Sequence, residues 1–249
     1  MRLKYLIMIV VMTSSLLSGE IKIAVAANVS YAIVDLKKAF NILYPDIKVQ
    51  VILGSSGKLT AQIKYGAPYD IFMSANMLYP DTLFKEGLSD TKPVVYAQGC
   101  LAYFSSKKQD FSLGMKLLQS EDIDKIATAN PKTAPYGIAA AQAMKKAKVF
   151  DSVKDKFVFG ESISQTVSYA VTTADIGLIA KSSLYSPKMA RFKEDVHWAD
   201  VNASLYTPIN QGIVILKKSA INPEVSNFYH FILSDKAKTI FKEFGYLLP

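Results

Sequence analysis

Cysteine is almost missing from this chain. Among 249 residues there is one, Cys100, so no internal disulfide can staple the fold. Cys100 sits in an apolar stretch, residues 94–104, and reads as a buried strand residue. Histidine is nearly as scarce: His197 and His230 are the two. They lie far from each other and from Cys100, without the short ligand spacing of a zinc site. No GxSxG elbow and no HExxH pair occurs. The stretch Gly54-Ser55-Ser56-Gly57-Lys58 has the outline of a phosphate loop. That loop needs four residues between its glycines and Ser or Thr after the lysine, whereas here two intervene and Leu59 follows. Lys58 therefore reads as a solvated first-turn lysine. Asp70 and Glu161 are far apart in sequence and nothing marks them as an acid–base pair; Asp70 reads as a residue that orders a neighbouring turn. The 14 tyrosines include no adjacent pair, so an iron site built on phenolates is not indicated. Such tyrosines usually pack with the ring buried and the hydroxyl wet. Together these absences argue against a hydrolase, a structural zinc domain and a resident metal cofactor.

What is present is apolar residue in quantity. Half the chain is hydrophobic, ample for a core, and the length suits one large domain or two lobes. Arg2 and Lys4, an apolar run over residues 5–12, and small residues up to Gly19 have the layout of a secretory signal peptide, residues 1–19. The run is too short to cross a bilayer, which takes roughly 20 apolar residues. An exported, periplasmic location follows. Removing Arg2 and Lys4 takes the formal net charge from +8 to +6. Such a balance can mark a nucleic-acid binder. Export and the scatter of lysines among acidic residues argue against that partner, while a mild positive field still draws in small anions.

Along the remainder, strand-like and helix-like segments alternate. Residues 21–26 read as a strand, after which Asn28 caps a helix with Ile33, Leu36, Phe40 and Leu43 at three- and four-residue steps. Further strands are expected at 47–53, 70–73, 126–129, 156–159 and 176–180. Helices are expected at 58–65, 135–148 and 164–173, through Leu83, and around Asn227 and Lys238. Residues 94–104 read as one unusually long strand, and 206–216 as extended. This repetition implies an α/β fold with mostly parallel sheets flanked by helices. The expected organisation is two lobes, residues 20–97 plus 208–249 and an inserted lobe 98–207, with crossings near Gln98 and Thr207.

Ligands of open α/β sheets bind beyond the carboxyl ends of the strands. Four strand-to-helix junctions here are small or polar: Ala26-Ala27-Asn28, residues 54–57, residues 134–137 and residues 160–164. The first turn of a helix carries unpaired N–H groups and roughly half a positive charge, and so can hold an anion without lysine or arginine. A hydroxyl at Ser56 or an amide at Asn28 adds a donor aimed the same way, and Gly54 and Gly57 let the backbone come close. Each junction by itself reads first as an ordinary helix cap.

At these same residues the chain resembles the periplasmic molybdate-binding component of molybdate ABC importers, which has the type II periplasmic-binding-protein fold. The resemblance covers essentially the whole chain after the signal. Its most specific stretch is GSSGKLTAQIKYGAPYDIFMSAN, residues 54–76; AVAANV at 24–29, NPKTAPYG at 130–137 and FKEFGY near the end also match. The resemblance implies a ligand in the cleft between the lobes. It implies that Ser56 binds the anion through hydroxyl and amide, and that Asn28 occupies the place of a first-loop ligand. By the same resemblance Tyr136 and Ile163 give backbone N–H groups, and Ala27 adds one more. Some members carry a tyrosine after the 176–179 strand, where this chain has Ala180. It implies a monomeric, non-enzymatic binding protein for molybdate and tungstate, with no cofactor and with a membrane permease as partner. Rival readings are a binding protein for sulfate, phosphate or iron, or a secreted hydrolase of phosphate esters.

Overall fold

A computed structural model describes residues 19–248. The segment read as a signal peptide lies outside the described residues except for Gly19. The chain runs β1 (Gly19–Ala26), α1 (Ile33–Leu43), β2 (Ile47–Gly54), α2 (Ser56–Lys64), β3 (Ile71–Ser74), α3 (Leu78–Lys85) and β4 (Val94–Gly99). Next come β5 (Leu101–Phe104), β6 (Ile126–Ala129), α4 (Pro135–Lys146), α5 (Phe150–Val153), β7 (Phe157–Gly160), α6 (Ile163–Thr172), β8 (Ile176–Ala180) and β9 (Trp198–Asp200). It closes with β10 (Ile209–Ile215), α7 (Pro223–Leu233) and α8 (Asp235–Glu243). No helix among the described residues is long and apolar enough to cross a membrane.

The strands form two five-stranded sheets, ordered β2-β1-β3-β10-β4 and β7-β6-β8-β5-β9. In the first, β1 is parallel to β2 and β3, and β10 runs against β3 and β4. In the second, β6 is parallel to β7 and β8, and β5 runs against β8 and β9. The parallel part of each sheet comes from strand–helix–strand units, whose crossover helices cover the faces. That is why β1 reads as a near-continuous apolar run, with Ile21, Ile23, Ala24 and Val25 all buried.

The helical spacing of α1 places Ile33, Leu36 and Phe40 on one buried face. Phe40 meets Phe228 of α7 edge-on at 5.0 Å between ring centres, so the C-terminal helices complete the core of the first sheet. In the second sheet the alanine-rich face of α4, Ala139, Ala140 and Ala143, is buried. A Cβ on Gly137 would run into the carbonyl of Ala129. The small residues thus let α4 lie close upon β6.

The stretch 94–104 is two strands, not one. β4 pairs in the first sheet through Gly99, and β5 begins in the second sheet at Leu101. Cys100 is the residue between them, half-buried and outside both strands, which corrects its reading as a buried strand residue. Burial, followed by the charge of Asp200, raises its thiol pKa. The chain returns to the first sheet between Asp200 and Ile209. The C-terminus also reaches the crossing: Gln98 and Leu247 exchange both backbone bonds, at 2.8 and 2.9 Å. Asn28 does not cap α1. It lies inside a separate 3-10 turn, Ala27–Ser30, because the chain makes a tight turn off β1 before the apolar helical spacing begins at Ile33.

Candidate functional site

The four polar junctions meet. Residues from the ends of β1, β2, β6 and β7, with Ala75 after β3, line one cavity of about 10 Å³. That is far below the roughly 300–1,000 Å³ of sites for drug-sized ligands and leaves room for about one water-sized group. Its walls include Ala27, Asn28, Ser55, Ser56, Tyr136 and Ile163, so every sequence-predicted site residue is brought together here. No lysine, arginine, aspartate or glutamate lines it. A roomier cleft shares Ser55 with it and opens outward between Lys58 and Glu161.

The donors follow from how each helix begins. In α4, Pro135 has no N–H, and Gly137 N–H donates to the Ala134 carbonyl at 2.9 Å. That leaves Tyr136 as the first N–H of the helix without an intrahelical partner. In α6, Ser162 caps through its hydroxyl, accepting from Gln165 N, and Ile163 stands at the first helical position with its N–H free of the helix. In α2, Ser56 is the first helical residue, two residues earlier than the spacing of apolar residues suggested. Its hydroxyl oxygen accepts from Ala75 N–H at 2.9 Å, so its proton remains to donate elsewhere. Gly57 N–H donates across to the Thr133 carbonyl at 2.9 Å. A Cβ there would press on Thr133 and on the Tyr79 hydroxyl, so this turn needs glycine for close approach.

Asn28 differs from expectation. Its side-chain amide does not supply the cavity with hydrogens. Nδ2 donates to Gln211 Oε1 at 2.8 Å and to the Tyr246 hydroxyl at 2.9 Å. Both hydrogens are thus committed inward, and what Asn28 offers an anion is its backbone N–H. The carbonyl side of the same turn is held as firmly. Asn28 O accepts from Tyr246 Oη at 2.9 Å and from Ser182 Oγ at 3.0 Å, and Ala27 O accepts from Ser164 Oγ at 2.8 Å. With the carbonyls tied back, the N–H groups of the turn are fixed in direction. Burial raises the pKa of the Tyr246 hydroxyl well past the ordinary tyrosine value, which keeps it a donor to Asn28.

The other residues weighed in the sequence fall outside the cavity. Lys58 pairs with Glu161 across the cleft mouth at 2.6 Å, both exposed. Asp70 sits at the opposite, amino-terminal end of the first sheet, accepting from Lys22 N and Ser219 Oγ, each at 2.6 Å. Ala180 is buried at the end of β8. Among the described residues no group of three or more His, Cys, Asp or Glu is placed to hold a metal ion. Sequence reasoning gave no role to Gln211, Tyr246 or Ser182, and placed Ser164 only as part of the polar junction 160–164. FKEFGY carried a further signal, since it contains Tyr246.

A family model described as bacterial extracellular solute-binding protein matches residues 21–247. The chain belongs to that family. Similar members include the molybdate-binding protein ModA of Azotobacter vinelandii, 33% identical with 92% of this chain and 90% of that protein covered. ModA of Rhodobacter capsulatus is 32% identical over 92% of this chain and 89% of its own length. The solved structure of the Azotobacter vinelandii periplasmic molybdate-binding protein overlays at a TM-score of 0.84 and 30% identity, covering 92% of this chain and 99% of that one. The two-sheet architecture is that of these periplasmic binding proteins. A solute-binding role follows for this member of the family.

Proposed function

We propose that this protein captures molybdate, and tungstate with it, in the periplasm and delivers it to the permease of an ABC importer, without catalysing a reaction. The observation that carries the reading is the uncharged cavity ringed by helix starts. A site without cationic side chains that still collects N–H groups from four chain turns is suited to an anion whose charge is spread over several oxygens. Ser56 donates through hydroxyl and amide, and Asn28, Tyr136 and Ile163 donate through their backbones, with Ala27 beside them. The identity to molybdate-binding relatives over nine-tenths of the chain supports molybdate over sulfate. The donors come from fixed backbone, so the cage cannot shrink around a smaller tetrahedral ion without moving whole helices.

In this reading lobe one is residues 20–97 and 208–249, lobe two is residues 98–207, and the pair closes on the anion about the two crossings. Titration calorimetry on the ligand-stripped protein with molybdate, tungstate, sulfate and phosphate tests it. Tight binding of the first two and weak binding of the others is the expected outcome. Preference for sulfate or phosphate would move the protein to another ligand of the same fold.

A further inference from the structure

Ser55 is the residue before α2, in the position from which a serine hydroxyl ordinarily accepts a hydrogen bond from the helix's own first-turn N–H groups. Elsewhere in this protein the rule holds. Ser162 caps α6, Asn222 caps α7 and Ser234 caps α8, each through its side chain. Ser55 has the extended backbone of a cap, φ −70° and ψ 146°, and its carbonyl accepts from Leu59 N at 3.0 Å. Its hydroxyl nevertheless makes no cap bond.

That hydroxyl is also without any other partner, on a residue 4% exposed. A buried hydroxyl left unpaired is unfavourable and calls for an explanation. Ser55 lines the small cavity beside Ser56. Two other residues of that lining have an unpaired buried side-chain atom, Asn28 Oδ1 and Tyr136 Oη. The Tyr136 hydroxyl lies against Gly99, and the Asn28 carbonyl oxygen only accepts and cannot bind a bare oxyanion. A serine hydroxyl can donate.

We propose that the Ser55 hydroxyl donates a hydrogen bond directly to the bound oxyanion, so that the first lobe presents two adjacent hydroxyls, Ser55 and Ser56, to one ligand. The helix forgoes its side-chain cap because the hydroxyl is reserved for the anion, while the Gly57 N–H is satisfied by the Thr133 carbonyl instead. This rests on the oxyanion-binding reading of the cavity. It adds a ligand and makes the mouth-side wall of the cage a hydroxyl wall.

The test compares wild type, Ser55→Ala and Ser55→Thr as ligand-stripped full chains. Each is titrated with molybdate, and with sulfate and phosphate, and its thermal unfolding is measured without anion. A hydrogen bond to a charged group corresponds to roughly ten- to hundredfold in affinity. The expected result is that loss in Ser55→Ala for whichever anion wild type binds best, recovery in Ser55→Thr, and a ligand-free unfolding temperature that does not fall. Unchanged affinity in Ser55→Ala overturns the proposal. So does a lowered ligand-free unfolding temperature with a matching loss of affinity, which marks a helix cap. Wild type that binds none of the three anions defeats the oxyanion reading itself, and this inference with it.

Discussion

Asn28 shows how a cavity-lining residue can have its side-chain amide committed elsewhere. The amide holds Gln211 and Tyr246, while the residue lines the cavity. Removing the amide leaves the buried Gln211 Oε1 without its donor and takes one bond from Tyr246. Asn28→Ala is therefore expected to cost about 1–3 kcal/mol of ligand-free stability, or roughly 2–4 °C of unfolding temperature per kcal/mol, and to weaken anion binding as the turn loosens. Scanning calorimetry without ligand separates this from direct ligation. An amide that bound the anion itself would leave the ligand-free temperature where it was. Legibility ended at this residue for a physical reason. Its partners lie 183 and 218 residues away, and neither apolar spacing nor cap preference carries information over that distance. The junctions that contain Ser56, Tyr136 and Ile163 were legible because a helix start advertises itself locally, through the residue types that begin a turn; the choice of Tyr136 and Ile163 within them came from the resemblance.

At the scale of elements the strand–helix alternation was readable almost throughout, since burial on one stripe of a helix leaves its period in the sequence. The errors came where tertiary pairing decides. The unusual length of the stretch 94–104 announced a crossing near Gln98, but apolar residues continue on both sides of Cys100, so nothing local announces that it breaks into two strands there. β9 has three residues, too few to show a period, and exists because β5 offers it an edge. Gly137 is an element-scale residue too: its missing side chain sets the distance between α4 and β6, and through it the position of the Tyr136 N–H. In Gly137→Ala the new methyl meets the Ala129 carbonyl, which is backbone and cannot swing aside. Overpacking of this kind costs about 1–3 kcal/mol. The expected outcome is a lower unfolding temperature and a weaker anion complex together, read by calorimetry. An alanine variant with wild-type affinity would show that the cage tolerates a shifted α4.

For the molecule as a whole, the proposed closing of two lobes on an anion raises the question of what holds them together without it. Among the described residues the polar contacts across the cleft include Gly57 N to Thr133 O, Ser164 Oγ to Ala27 O, Ser30 Oγ with Ser164 Oγ, Ser182 Oγ to Asn28 O, and the exposed Lys58–Glu161 pair. Each neutral bond contributes about 0.5–1.5 kcal/mol net, because water satisfies the same groups when the cleft opens. The exposed ion pair contributes about 0–1 kcal/mol. Such a sum leaves opening accessible, so a ligand that bonds both lobes at once can shift the balance. In the proposed function Ser164 and Ser182, neither of which lines the cavity, act on this balance. Small-angle scattering is expected to show a smaller radius of gyration when molybdate is added to the ligand-stripped protein. In the Ser164→Ala, Ser182→Ala double variant, molybdate is expected to dissociate faster and bind roughly three- to tenfold more weakly. Its ligand-free unfolding temperature should stay close to wild type, because neither hydroxyl bridges the lobes once they part. A radius indifferent to saturating anion would mean that the ligand enters a cleft already closed, and the serines would then be ordinary packing contacts.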